Sequence, residues 1–193
     1  MRTVEAVMAE IDAFVYGPKV APYRGWHDDH RQNDPGPNYL PAMQQVRNEF
    51  VGVLVCIAER KLTKCLQLGL GPSKASHAVW SGFMTHVLTI DLAMCVDDAV
   101  IHRGMNTHDM AAISFAIDRA PFDFLFIDAG HSYQDVAADY RDYSRMVRRG
   151  GLIAFHDALP RSLYPEIEVH KFIEHLPVTI IGAEVGTAVM EVT

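Results

Sequence analysis

Residues 122–135 read "FDFLFIDAGHSYQD": large apolar residues from Phe122 to Ile127 are stopped by Asp128, and a glycine-containing turn then delivers His131, Ser132 and Tyr133. A short run of this kind reads as a strand buried on both faces, and "QDVAADYRDYSRMV" after it repeats its apolar residues at helical spacing. Strand followed directly by helix is the unit of a parallel sheet covered on both sides. In such sheets ligands bind beyond the carboxyl ends of the strands, which is where Asp128 stands.

The same pattern extends in both directions. "CLQLGL" is a strand and "KASHAVWSGFM" a helix; "HVLTID" and "AVIHRG" are strands, and "THDMAAISFAIDR" is a helix with Thr107 as its N-cap. "RMVRRGG" reads as a charged helix end before a turn, "GLIAFHD" as a strand and "PEIEVHKFIEHL" as a helix. The closing "VTIIGAEVGTAVMEV" is two strands joined by a turn too short for a helix, hence an antiparallel pair. The expected fold class is α/β: a three-layer, Rossmann-like, mostly parallel sheet of seven strands, an antiparallel C-terminal strand pair and helices on both faces. Asp91, Asp128 and Asp157 each end a strand, so all three should gather on one edge.

Ahead of this region, Val4, Met8, Ile11 and Val15 recur at helical spacing, and residues 16–41 form a long irregular stretch rich in glycine and proline. Loops of that length are commonly lids or binding loops. From Leu40, the residues Met43, Val46, Phe50, Val53 and Ile57 predict a second helix. Residues 1–39 are therefore expected as an extension, a lid or acceptor-side element, and 40–193 as the ligand-binding domain. "WHDDH", Trp26–His30, reads as a solvated loop or lid, since a closed metal site would need distant ligands as well.

Composition narrows the function classes. The chain has 193 residues, 49% of them apolar, enough for one sizeable core. A formal charge of −7 argues against a phosphate-tracking surface, so no nucleic-acid partner is expected. Cys56, Cys65 and Cys95 form no CxxC and read as buried reduced thiols. The first residues lack a signal-peptide core, and "VGVLVCIA" is far short of the roughly 20 residues that span a bilayer. The expectation is a cytoplasmic protein without a membrane partner; a homo-oligomer stays open.

Gly69 and Gly71 sit at a strand-to-helix turn, where backbone can approach a ligand, and Asp91 follows at the distance of a ribose-binding acid. Ser73 and Lys74 occupy the region of the third glycine of a dinucleotide fingerprint. The succession "LQLGLGP", "VLTID", "HRGMNTHD", "FDFLFIDAGHSYQDV" and "RRGGLIAFHD", closed by the strand pair, resembles the class I S-adenosylmethionine-dependent methyltransferases. It is most similar to small O-methyltransferase-like members with Phe-Ile-Asp-x-x-His-x-Tyr and a later Phe-His-Asp, over roughly residues 40–193.

The resemblance implies S-adenosylmethionine as cofactor and a small-molecule methyl acceptor, a sugar or secondary metabolite, methylated on oxygen. It places Gln67, Gly69, Gly71 and Ser73 against the methionine part and Asp91 on the ribose. Asn106, Thr107 and His108 would lie beside the adenine, and Asp128 at the reactive edge of the cofactor site. It further implies that Asp128 and Asp157 hold a divalent metal; oxygen ligands suit Mg²⁺, whereas His156 or His131 would favour transition metals. Carboxylates that bind cofactor or cap loops without an ion are the alternative. His131, just past Asp128, is the expected general base, against a role with Tyr133 in tying the loop to its helix. His77, His86, His102, His170 and His175 read as structural.

Two departures from the family pattern stand out: Gln67 replaces an acid, and Met105-Asn106 replaces Gly-Asp. They support a second reading, a non-catalytic cofactor-binding relative. A third, an NAD(P)-dependent oxidoreductase on the same sheet, is opposed by the missing glycine and by the terminal strand pair.

Overall fold

Side chains on successive strand residues point to opposite faces, and the main sheet of the computed structural model is apolar on both. The structure describes residues 45–70, 75–92 and 104–193, together with Tyr39–Leu40 and the single positions Ala6, Ala9 and Ala13. A small antiparallel pair, β1 (Tyr39–Leu40) and β2 (Gln45–Val46), precedes α1 (Arg47–Arg60). Then come β3 (Lys64–Leu68), α2 (Ala75–Phe83), β4 (His86–Ile90), α3 (Met110–Ile117), β5 (Phe122–Ile127) and α4 (Tyr133–Tyr143). A 3₁₀ turn, Ser144–Met146, leads into β6 (Val147–Phe155), α5 (Val169–Ile173), β7 (Thr179–Ile181) and β8 (Thr187–Glu191).

The six strands are ordered β4-β3-β5-β6-β8-β7. The β4–β3, β3–β5 and β5–β6 pairs are parallel; β8 runs antiparallel to both β6 and β7. One face buries Cys65, Phe124, Phe126, Leu152 and Ala154 under α1 and α2. There Trp80 packs its ring 4.5 Å from that of Phe50 and 5.2 Å from that of Phe126. The other face buries Leu66, Leu68, Leu125, Ile127, Ile153 and Phe155 under α3, α4 and α5. The three-layer, mostly parallel architecture expected from the sequence is therefore the observed one.

Several expectations need correction. The main sheet has six strands among the described residues rather than seven, because the expected "AVIHRG" strand falls largely outside them; Gly104 makes a single parallel bridge to Asp91. The second helix starts at Arg47, not near Leu40, since Leu40 and Val46 are used in the small strand pair. Asp109, not Thr107, occupies the N-cap of α3. The Thr107 carbonyl instead accepts a hydrogen bond from Tyr143 Oη at 2.6 Å. The helix α4 stops at Tyr143, and "VRRGG" belongs to β6 instead of a helix end. Pairing with β5 explains this: the register jumps between Phe122 and Phe124, so Arg148 to Gly151 form an irregular segment within the strand. Arg148 Nε there donates to Asp123 Oδ1 at 2.5 Å. The helix expected over residues 165–176 is confined to Val169–Ile173.

The first predicted helix apart from Ala6, Ala9 and Ala13, the loop with Trp26–His30, and Gly71, Ser73, Lys74, Cys95 and His102 lie outside the described residues. Cys56 and Cys65 are free thiols, and burial pushes the Cys65 thiol well up, which makes it inert. No helix among the described residues is long and apolar enough to cross a membrane. Buried Glu49 on α1 accepts hydrogen bonds from the backbone N–H groups of Glu184, Val185 and Gly186. That contact fixes the β7–β8 turn, whose Val185 reaches the site described next.

Candidate active site at the carboxyl edge of the sheet

The strand ends are joined by backbone bonds that continue the ladder beyond the last residue of each strand. Gly69 N donates to Ile90 O, Asp128 N to Leu68 O and His156 N to Ile127 O. The turns therefore leave the sheet at one level and enclose a cavity of about 600 Å³. Asp91, Asp128 and Asp157 all line it, as the strand-end argument expected.

Gly69 has φ +85°, and a Cβ there would lie 1.8 Å from the carbonyl oxygen of Asp128. Glycine at this position thus lets β3 pack directly against the end of β5, which holds Asp128 in place. Gly69→Ala is expected to cost about 3 kcal/mol or more, from left-handed strain plus the backbone clash. Urea unfolding would measure this, and an unchanged midpoint would contradict it.

The segment after Asp128 is equally determined. Ser132 caps α4, its Oγ accepting from Asp135 N at 3.2 Å and bonding Asp135 Oδ2 at 2.6 Å. A Cβ on Gly130 would sit 2.5 Å from that of Asp135, so only glycine lets the turn close over the capping acid. His131 O accepts from Glu168 N, and Tyr133 N donates to Glu168 Oε2. This presents the His131 ring to the cavity.

Four titratable groups converge. His131 Nε2 lies 3.0 Å from Asp157 Oδ2 and 3.5 Å from Asp128 Oδ1. His156, buried, places Nδ1 3.1 Å from Asp128 Oδ1 and 3.3 Å from Asp157 Oδ2. Burial alone would raise Asp128, but His156 and His131 beside it hold its carboxyl well below the usual carboxylate range. Asp157 sits at φ +57°, a left-handed conformation that few residues other than glycine adopt; it turns the side chain back towards His131 and Arg161.

Donor atoms of Asp128, His131 and Asp157 all lie within 4.8 Å of one another. Two coordination bonds of about 2.1–2.4 Å span that distance, so the trio fits a hard divalent cation with oxygen and imidazole ligands. His131 completes this trio, and His156, the other imidazole named from the sequence, lies beside the same two acids.

The other half of the cavity carries the expected cofactor positions. Asp91 Oδ2 accepts from Leu70 N at 2.6 Å, and Asn106, Thr107 and His108 line the wall beside it. Gln67 is placed differently, fully buried behind the turn, with Nε2 donating to Gly69 O and Ser76 Oγ. It shapes the turn from behind and does not line the cavity.

Two residues in contact with the acids had no place in the sequence argument. Gln45 Nε2 donates to Asp128 Oδ2 at 2.8 Å, and Arg161 pairs with Asp157 Oδ1. Arg161 had a faint signal, four residues past Asp157. Gln45 had none, at 83 residues from its partner.

Behind the 106–108 segment lies Asp139, fully buried and 3.4 Å from His108 Nε2. Burial pushes its carboxyl up to about 6, only partly offset by the Thr107 hydroxyl and His108. Since the unfolded value is about 3.9, folding is favoured below about pH 4, and that advantage is lost as pH rises through about 6. Asp139→Asn is therefore expected to gain on the order of 2 kcal/mol near pH 7.5, with little gain at pH 4. Denaturant unfolding at the two pH values checks this; equal stability of variant and wild type at pH 7.5 would contradict it.

Residues 59–158, just over half of the chain, match the family model of a methyltransferase domain. No curated protein matches the chain by sequence. Several solved structures are similar in fold. The MycE methyltransferase of the mycinamycin biosynthetic pathway, in complex with Mg and SAH, is 16% identical with a TM-score of 0.60, over 95% of this chain and 54% of its own. An O-methyltransferase from Bacillus cereus in complex with SAH is 15% identical with a TM-score of 0.57, over 97% and 91%. A TDP-rhamnose 3'-O-methyltransferase of calicheamicin biosynthesis is 10% identical with a TM-score of 0.56, over 91% and 95%. The chain spans about half the length of MycE. At these identities the likeness is one of fold.

Proposed function

The chain belongs to the methyltransferase-domain family, and we propose that it transfers the methyl group of S-adenosylmethionine to an oxygen of a small molecule. The observation that carries this reading is the convergence of Asp128, His131 and Asp157 in the cavity that also holds Asp91 and the 106–108 wall. Neighbours in fold that hold SAH, one of them with Mg, support the same assignment of the two halves.

In the reaction the bond from methyl carbon to sulfur breaks while a bond from acceptor oxygen to that carbon forms; the sulfonium becomes a thioether, and the acceptor's proton passes to water, or to the imidazole where His131 acts as base. That chemistry belongs to the cofactor, and the protein supplies alignment and electrostatics. Asp91 would accept hydrogen bonds from the ribose, and Asn106, Thr107 and His108 would border the adenine. Asp128, Asp157 and His131 would hold a divalent cation, whose chemistry there would be to draw in an acceptor hydroxyl and make it more acidic. Two roles compete for His131, third donor or general base. The geometry favours the donor, because Nε2 lies within 3.5 Å of an oxygen of each carboxylate. A sugar hydroxyl is the proposed acceptor, in line with the TDP-rhamnose enzyme that shares the fold.

Binding calorimetry with S-adenosylmethionine, with NAD(P)⁺ as the competing cofactor, tests the reading. S-adenosylmethionine is expected to bind, and Asp91→Ala to weaken it about tenfold or more, since hydrogen bonds to a charged group are worth roughly 1.5–3 kcal/mol. Binding of the dinucleotide alone would move the chain to the oxidoreductases. Cofactor binding without turnover on any hydroxylated acceptor would favour a non-catalytic relative.

A further inference from the structure

We propose that Gln45, with Arg161 as its counterpart, is a positioning residue that turns one oxygen of each acid towards the cation. The inference rests on the reading that Asp128 and Asp157 hold a divalent ion. A carboxylate rotates about its last bond and can present either oxygen, or both, to a ligand. Here each acid has one oxygen held by Gln45 or Arg161, while its other oxygen meets the His131 and His156 rings. Gln45 Nε2 donates to Asp128 Oδ2 at 2.8 Å, and Arg161 takes Asp157 Oδ1. The remaining oxygens, Asp128 Oδ1 and Asp157 Oδ2, are the two that face His131 Nε2.

The assignment of the amide is unambiguous in chemical terms, because its nitrogen donates to a carboxylate whereas its oxygen would repel one. Gln45 is only 2% exposed, so the bond is sheltered from water. The residue type also matters. A neutral donor fixes Asp128 without adding to the positive charge that Arg161 already brings against Asp157, and without adding a third acid to the cluster. Gln45 sits in β2, just ahead of α1, outside the residues 59–158 that match the family model. The segment before the matched domain thus reaches into the site and sets the geometry of one ligand.

Mn²⁺ titration of the purified chain by calorimetry tests this, together with thermal unfolding with and without Mn²⁺. Residues that orient metal ligands through hydrogen bonds typically cost about 10–100-fold in affinity when changed, and Gln45→Met, similar in shape, is expected to lose that much. Gln45→Glu is expected to melt below the wild type without metal, from two adjoining carboxylates, and to gain more than the wild type from saturating Mn²⁺. Asp128→Asn serves as the control that removes a donor. If the wild type takes up no Mn²⁺, the cation reading fails and carries this inference down with it. If the wild type binds and Asp128→Asn does not, while Gln45→Met binds as tightly as the wild type, the inference alone is overturned. Should Gln45→Met fail to fold, the Glu variant decides: a Mn²⁺ shift no larger than the wild type's overturns the proposal.

Discussion

His131→Ala is expected to lower turnover about 10²–10⁴-fold while scarcely changing S-adenosylmethionine affinity, the scale on which a positioned proton-transfer or electrostatic group acts. The substitution is a clean one. The backbone and capping bonds of this loop run through His131 O, Tyr133 N and Ser132 Oγ, so the imidazole's own contacts are those to Asp128 and Asp157. A loss of turnover per folded molecule therefore reports on the ring itself. Two further readouts separate its possible roles. As a cation donor, His131→Ala loses Mn²⁺ affinity together with activity. As a general base, it keeps Mn²⁺ affinity, and the pH–rate profile loses its acidic limb, since an imidazole takes a proton only when neutral. Turnover equal to the wild type's in both His131→Ala and His131→Asn would remove this residue from the chemistry altogether.

The candidate site's edge was legible in the sequence because three apolar runs stop on an acid, and a parallel sheet brings such stops to one level. Asp91, Asp128 and Asp157 are together in the cavity for that reason. His131 was legible through its nearness in sequence to Asp128. The boundaries of β6 were not, because the Arg148–Gly151 segment is polar and glycine-rich yet paired into the sheet by a register shift that no local pattern announces. Gln67 illustrates a different limit. Its place in the motif is visible, but its direction is not: Ser76 and the Gly69 carbonyl draw its amide behind the turn. Gln45 shows the furthest reach of tertiary structure, since its partner lies 83 residues on and its own neighbours predict only a helix.

Asp128→Asn is expected to abolish measurable Mn²⁺ binding and to cut turnover by at least about 10²–10³-fold, the scale of removing one preorganised electrostatic group. Asparagine keeps the shape, and its oxygen can still accept from Gln45, so the loss isolates the charge. The charge also has a signature in stability. With its folded pKa held below the unfolded value of about 3.9, Asp128 contributes stability that is present above about pH 4 and is lost as pH falls further. Acid unfolding of the metal-free wild type should therefore be steeper below pH 4 than that of the Asn variant. The turnover result has its own control in the wild type: excess chelator should reproduce the variant's loss, and Mg²⁺ or Mn²⁺ should restore the wild type but not Asp128→Asn. Full wild-type activity in excess chelator would take the cation out of the mechanism. Asp128 would then act as a bare carboxylate against His131 and His156, and methyl transfer would rest on alignment and an imidazole base alone.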